Sequence, residues 1–249
     1  MALPLYLAMT AGEFDTDALP PLPAYMACHF SVYGKGLQDL PTSVPAGCLL
    51  ILDDRIPVWE HDPGFVASQL RDAVEKFQCS GLLLDFQRPG EPLMADITRR
   101  VADLLPCPVA VTEAYAEDVG CAVLLDTPKA NEPLTKCIQA WPGREWWLEI
   151  APEVIRYTVT KDASTWEEIQ ESEQAYCHQD AQLCCSYRID LQEDRALFTI
   201  GRTWEDLQKL MAQAEELGVQ KAIGLYQQLC SMVTPDDGWQ RNKQPQHPR

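Results

Sequence analysis

The feature that most constrains this chain is a short apolar run that keeps recurring. Eight such runs occur, at positions 5–9, 25–30, 48–52, 81–86, 109–112, 122–125, 146–150 and 222–226. Each is too short for a buried helix and almost continuously apolar, as a strand covered on both faces must be. Helical periodicity fills several of the gaps. Between 65 and 77, Val66, Leu70 and Val74 recur every fourth residue, and between 94 and 105 Ile97, Val101 and Leu104 share one face. A short helix is predicted over 134–141. Thr203-x-x-Asp206 has the form of a capping box, followed by Leu207, Leu210, Met211, Ala214 and Leu217 and a stop at Gly218. The polar stretch 162–176, with Ser164 and Glu167 near its start, is also predicted to be helical.

Strand followed by helix favours a parallel sheet, and eight strands favour closure. The predicted fold is therefore α/β, a (β/α)8 barrel over residues 1–230. Two outer helices are expected to be missing, because 12–24 is Pro-rich and irregular and 116–120 is too short. Residues 183–191 and 195–201, joined by Gln192-Glu193-Asp194, read as a β-hairpin inserted in the last βα unit. The Gln- and Pro-containing segment 231–249 is expected to be disordered.

Composition narrows the function classes. With 37 Asp and Glu against 20 Lys and Arg, the net charge is −17. Such a surface repels phosphate backbones and anionic lipid, so neither nucleic acid nor membrane is an expected partner. No apolar run approaches the length of a membrane span. The first residues lack the basic segment of a signal peptide, so the expected setting is the cytoplasm of a bacterial-type cell. Ten cysteines occur without any Cys-x-x-Cys; Cys48, Cys79, Cys107 and Cys121 each precede an apolar run and read as reduced, buried residues. Asp53, Asp54, Glu60 and His61 match no metal-site spacing, and Gly34-Lys35-Gly36 is too short to cradle phosphate, so no metal or cofactor is expected.

The most informative segment is Cys79-Ser80-Gly81-Leu82-Leu83-Leu84-Asp85-Phe86-Gln87-Arg88-Pro89, in the fourth predicted strand. It resembles the fourth strand of the family 18 glycoside hydrolases, whose motif reads Asp-Gly-x-Asp-x-Asp-x-Glu. Aligned on Gly81, the four acidic positions fall on Ser80, Leu83, Asp85 and Gln87, so Asp85 alone is still acidic. The stretch from Asp190 to Leu229, a hairpin, a helix and a last strand, is similar to that family's closing unit, with Tyr226 in place of the usual Trp. The resemblance implies a barrel whose mouth binds an N-acetylglucosamine-type sugar. It also implies that the residue at 87 would protonate the leaving oxygen, while Asp85 would orient the N-acetyl group. An amide has no proton acidic enough for that task. Position 87 is thus a degenerate acid position, and Leu83 removes the carboxylate that would share charge with Asp85.

Other strand ends also carry acids: Asp53, Asp54, Glu113, Asp126 and Glu149. A barrel gathers such ends at one rim. Glu113 is the candidate for a relocated acid, because its strand adjoins that of Gln87; His29 could also reach the rim. Among aromatics, Trp59 and Tyr226 are candidate sugar platforms, whereas one of Trp146 and Trp147 should face the core. Three readings result. The first is a sugar- or small-ligand-binding barrel without the usual acid catalysis. The second is a hydrolase using relocated carboxylates such as Glu113 and Asp85. The third is a non-enzymatic scaffold that binds protein.

Overall fold

The computed structural model describes residues 2–16, 19–56, 61–129, 132–169 and 176–232. In chain order the elements are β1 (Leu5–Met9), α1 (Ala11–Thr16), β2 (Pro23–Phe30), β3 (Leu37–Gln38), β4 (Leu49–Asp53), α2 (Pro63–Phe77), β5 (Gly81–Asp85), α3 (Pro92–Leu104), β6 (Val109–Thr112), a 3-10 turn (Glu113–Asp118), β7 (Ala122–Leu125), α4 (Leu134–Ala140) and β8 (Trp146–Glu149). Then come β9 (Val154–Thr160), β10 (Ser164–Ile169), β11 (His178–Asp180), β12 (Cys185–Leu191), β13 (Arg195–Gly201), α5 (Trp204–Glu216), β14 (Lys221–Leu225) and α6 (Tyr226–Leu229).

Eight strands, β1, β2, β4, β5, β6, β7, β8 and β14, pair in parallel, and the sheet closes through β1 and β2. They coincide with the eight apolar runs. Both faces of the strands are buried. Leu82 and Leu84 face the outer helices, and Leu83 faces the barrel axis. The axis is filled by alternating small and large side chains, with Ala8, Ala24, Ala110 and Ala122 against Tyr6, Leu83 and Trp147. At the floor the Lys221 ammonium sits over the Trp147 and Tyr6 rings and donates to the Ser80 carbonyl at 2.8 Å. Gly81 opens β5 because a Cβ there would meet the Pro108 carbonyl at 2.9 Å and Trp147 at 3.0 Å.

Three outer helices are full length. α2 starts where Asp62 accepts from Gly64 and Phe65 and ends with Gln78 in the left-handed region. α3 buries Ile97 and Val101, and α5 begins with the Thr203–Asp206 capping box. The remaining units carry short substitutes, as the irregular segments implied. Cys48 and Cys79 are buried at strand entrances, and burial pushes their thiols up to about 12 and about 11.

Between β8 and α5 lies a five-stranded antiparallel sheet, in the order β10-β9-β13-β12-β11. It contains the expected hairpin as β12 and β13, but it is larger than a hairpin. The helix predicted over 162–176 is not formed where the chain is described: residues 164–169 are strand β10, paired along β9 from Ser164↔Val159 to Ile169↔Val154. Local helix preference in this polar stretch yields to cross-strand pairing. Residues 170–175 and 233–249, and the expectations that fall on them, lie outside the described residues. Among the described residues no helix is long and apolar enough to cross a membrane.

Candidate functional site at the barrel mouth

Side chains alternate along a strand, so Leu83 and Asp85 both project toward the barrel axis. Leu83 packs in the axial core and forms part of the cavity floor, while Asp85 emerges at the mouth. The parallel register sets Asp53, at the end of β4, beside Asp85, at the end of β5. Gln87 continues past the strand end, and its Nε2 donates to Asp85 Oδ1 at 2.5 Å. Asp126, just after β7, and Glu149, the last residue of β8, complete the rim. These five residues line one cavity of about 90 Å³ with Leu83 and Leu225 at its apolar side. Gln87, Asp126 and Glu149 also line a wider cavity of about 540 Å³. That cavity reaches Glu113, Lys129, Lys136, Glu153 and, on the inserted sheet, Glu168.

The acids are not equivalent. Asp53 is bound on both oxygens: His29 Nδ1 lies 3.0 Å from Oδ1, and Arg55 Nε donates to Oδ2 at 2.6 Å. Asp54 points the other way, is almost fully buried, and accepts from the backbone N–H groups of Gln87 at 3.1 Å and Arg88 at 3.0 Å. It thereby fixes the segment that carries Gln87. Burial pushes the Asp85 carboxyl above the usual range, against the stabilising hydrogen bond from Gln87 and together with repulsion from Asp53 and Asp54. Glu149 is pushed up to about 7, first by burial and then by repulsion from Asp126, Asp85 and Glu153. Burial raises Glu113 as well.

A stability consequence follows from Glu149. Its carboxyl holds a proton in the folded chain from about pH 4.5 up to about pH 7, where the unfolded chain has already lost it. Its stabilising contribution is therefore complete below about 4.5 and is lost as pH rises through about 7. Glu149→Gln should leave stability unchanged at pH 4 and raise it at pH 8, by up to about 3 kcal/mol. Urea unfolding at the two pH values measures this; equal gains at both would remove the assignment.

The rim thus brings together Asp53, Asp85, Gln87, Asp126 and Glu149, with Glu113 in the adjoining cavity. Tyr226 is not among the residues that line these cavities. It is the first residue of α6, it is buried in the core between barrel and helices, and the mouth position belongs to Leu225. The cause is parity: Ile223 and Leu225 point inward on β14, so residue 226 cannot. Trp59 and Glu60 lie outside the described residues. Trp147 is the inward ring of its pair, and Trp146 is half-buried among the outer core. Two features go beyond what the sequence implies: the anchoring role of Asp54 and the approach of Lys129 and Glu168. The first could have been sought in the doubled Asp53-Asp54; the second had no local signal. Among the described residues no three of His, Cys, Asp and Glu are placed to hold one metal ion.

No protein-family model matches this chain, and no curated protein matches it. Solved structures do. The Bacillus cereus spore cortex-lytic enzyme SleL matches with a TM-score of 0.54 at 9% identity, over 89% of this chain and 70% of that one. The C-terminal domain of a chitinase candidate from Desulfitobacterium hafniense matches with a TM-score of 0.55 at 10% identity, over 95% and 96% of the two chains. A family 18 chitinase from Cycas revoluta, solved in complex with (GlcNAc)3, gives 0.50 at 10% identity, over 90% and 94%. At such identities the likeness is one of fold: this chain has the barrel of chitinase-like enzymes.

Proposed function

We propose that this barrel binds an N-acetylglucosamine-type oligosaccharide, or a related small polar ligand, at its mouth, and does not hydrolyse it through position 87. The observation that carries this is the Gln87–Asp85 hydrogen bond at the end of the fourth barrel strand. The pair occupies the position that the family resemblance gives to the acid and the N-acetyl-orienting carboxylate. Gln87 there donates a hydrogen bond and has no acidic proton to give. A closed, apolar mouth would have favoured a protein-binding scaffold. Carboxylates and an amide around an open cavity favour a ligand rich in hydroxyl and amide groups instead.

Calorimetry with N-acetylglucosamine oligomers tests the reading. Binding at millimolar concentration or tighter is expected, with the oligomer recovered intact. Absence of binding at millimolar concentration overturns it.

A second reading has an observation of its own. Glu113, raised by burial, lines the wider cavity together with Gln87 and could serve as a relocated acid with Asp85. Under that reading the wild-type chain cleaves the oligomer and Glu113→Gln does not. Cleavage that survives the substitution excludes Glu113.

A further inference from the structure

His29 has no part in the Gln87–Asp85 pair, and an irregularity in β2 turns it toward the mouth. Along β2, Ala24 and Met26 belong to the axial core, while Tyr25 and Ala27 belong to the outer layer. Unbroken alternation would send Cys28 and Phe30 inward and His29 outward. The pairing with β4 breaks that alternation. Tyr25 stands opposite Leu50 and Cys28 opposite Leu52, so three steps along β2 match two along β4. One extra residue of this kind is a β-bulge, which re-aims the side chains beyond it. Cys28 and Phe30 are accordingly buried in the outer layer. His29, between them, turns to the inner side at the strand end that opens into the mouth.

There its Nδ1 lies 3.0 Å from Oδ1 of Asp53, which lines the mouth cavity. A carboxylate accepts and cannot donate, so Nδ1 carries the proton, and in the neutral ring Nε2 keeps its lone pair. Asp53 is itself held in place. Arg55 Nε donates to its Oδ2 at 2.6 Å, and the Arg55 backbone N–H donates to Oδ1 at 3.2 Å. The Asp53 side chain is 5% exposed and the imidazole 22%. A buried, doubly held carboxylate behind a partly open imidazole fixes both the tautomer and the direction of the ring. Among the described residues Nε2 makes no hydrogen bond.

We propose that His29 is a ligand-binding residue of the mouth, accepting a hydrogen bond from a ligand hydroxyl at Nε2, and that Asp53 is its positioning residue and does not touch the ligand. The inference rests on the carbohydrate reading above. It adds an acceptor on the β2–β4 side of the site. A bare imidazole nitrogen there selects a hydroxyl over an ether or carbonyl oxygen, neither of which has a hydrogen to donate.

The test combines calorimetry at pH 8 with the trisaccharide of N-acetylglucosamine and the ring-nitrogen NMR shifts of His29. It compares the full chain as wild type, His29→Ala, Asp53→Asn and the double variant, with thermal unfolding to check that each is folded. His29→Ala should weaken binding roughly tenfold, the loss of one hydrogen bond. In Asp53→Asn the amide oxygen must face the Arg55 donors, so the amide N–H group faces His29 and moves the ring proton to Nε2. The ring shifts should report that switch, binding should weaken as much as in His29→Ala, and the double variant should lose no more than either single one. Unchanged binding by His29→Ala overturns the proposal, and so does a tautomer switch without loss of binding. Losses that add in the double variant show that Asp53 meets the ligand itself and overturn its positioning role. If Asp53→Asn does not fold, the wild-type Nε2 resonance decides: it should move when the trisaccharide is added, and an unmoved resonance overturns the proposal. Each of these outcomes leaves the mouth site standing. Absence of trisaccharide binding by wild type overturns the mouth site and the role of His29 together.

Discussion

Gln87→Glu is expected to raise this chain's hydrolysis of N-acetylglucosamine oligomers above that of the wild type. At present the Gln87 amide donates to Asp85 at 2.5 Å. Glutamate in its place would put two carboxyls at that separation, and both cannot ionise at once. The pair would hold a proton toward neutral pH, helped by the burial and the neighbouring acids that already raise Asp85. A retained proton is what the leaving oxygen of an unactivated glycoside requires. The expected gain in hydrolysis of an N-acetylglucosamine oligomer is about 10²-fold, the lower end of what general acid catalysis contributes, because Leu83 supplies no supporting carboxylate. Activity should fall as pH rises and the shared proton is lost. If the variant binds the oligomer as wild type does and remains inactive, position 87 is not aligned with a glycosidic bond. The reading of Gln87 as a lost proton donor would then be wrong.

Asp54→Ala is expected to destabilise the fold by about 3 kcal/mol. The wild-type carboxylate is almost fully buried and accepts from the Gln87 and Arg88 backbone N–H groups, while the Arg88 guanidinium donates to the Asp54 carbonyl. Truncation leaves both N–H groups without acceptors in a site that water reaches poorly, and a hydrogen bond to a charged group is the costly kind to lose. In a chain of this size the melting temperature should fall by roughly 6–12 °C. Asp54→Asn keeps one acceptor oxygen and should fall between the two. Oligosaccharide binding should weaken with the stability loss, since Asp54 fixes the backbone on which Gln87 stands. A change of melting temperature below about 2 °C, within the range of ordinary surface substitutions, would show that the segment 87–88 is held by other contacts.

The legible part of this molecule was the part whose physics is local. Val66, Leu70 and Val74 announced α2, and Thr203 with Asp206 announced α5, because one helix face and one cap are written within a few residues. Residues 164–169 misled for the same reason. Their polar, helix-compatible composition says nothing of β9, the strand that captures them. Tyr226 misled by a single position. The run from 222 to 226 shows a strand, but which residues point inward depends on register with β1 and β8, and that register gives the mouth to Leu225.

The segment from Gly81 to Gln87 marks the division most clearly. Eight apolar runs alternating with helical patterns favour a closed parallel barrel, and the family resemblance sets Asp85 and Gln87 at the open end of its fourth strand. Which acids share the cavity with that pair, that Asp53 is tied to His29 and Arg55, and that Asp54 serves as an anchor depend on the folded arrangement. The reason is that a carboxylate's role depends on burial and on the charges within a few ångströms. Around Glu149 those are Asp126, Asp85 and Glu153. Asp126 follows β7, which pairs directly with β8, whereas Asp85 ends β5, three strands away, and the curvature of the barrel brings it across the mouth.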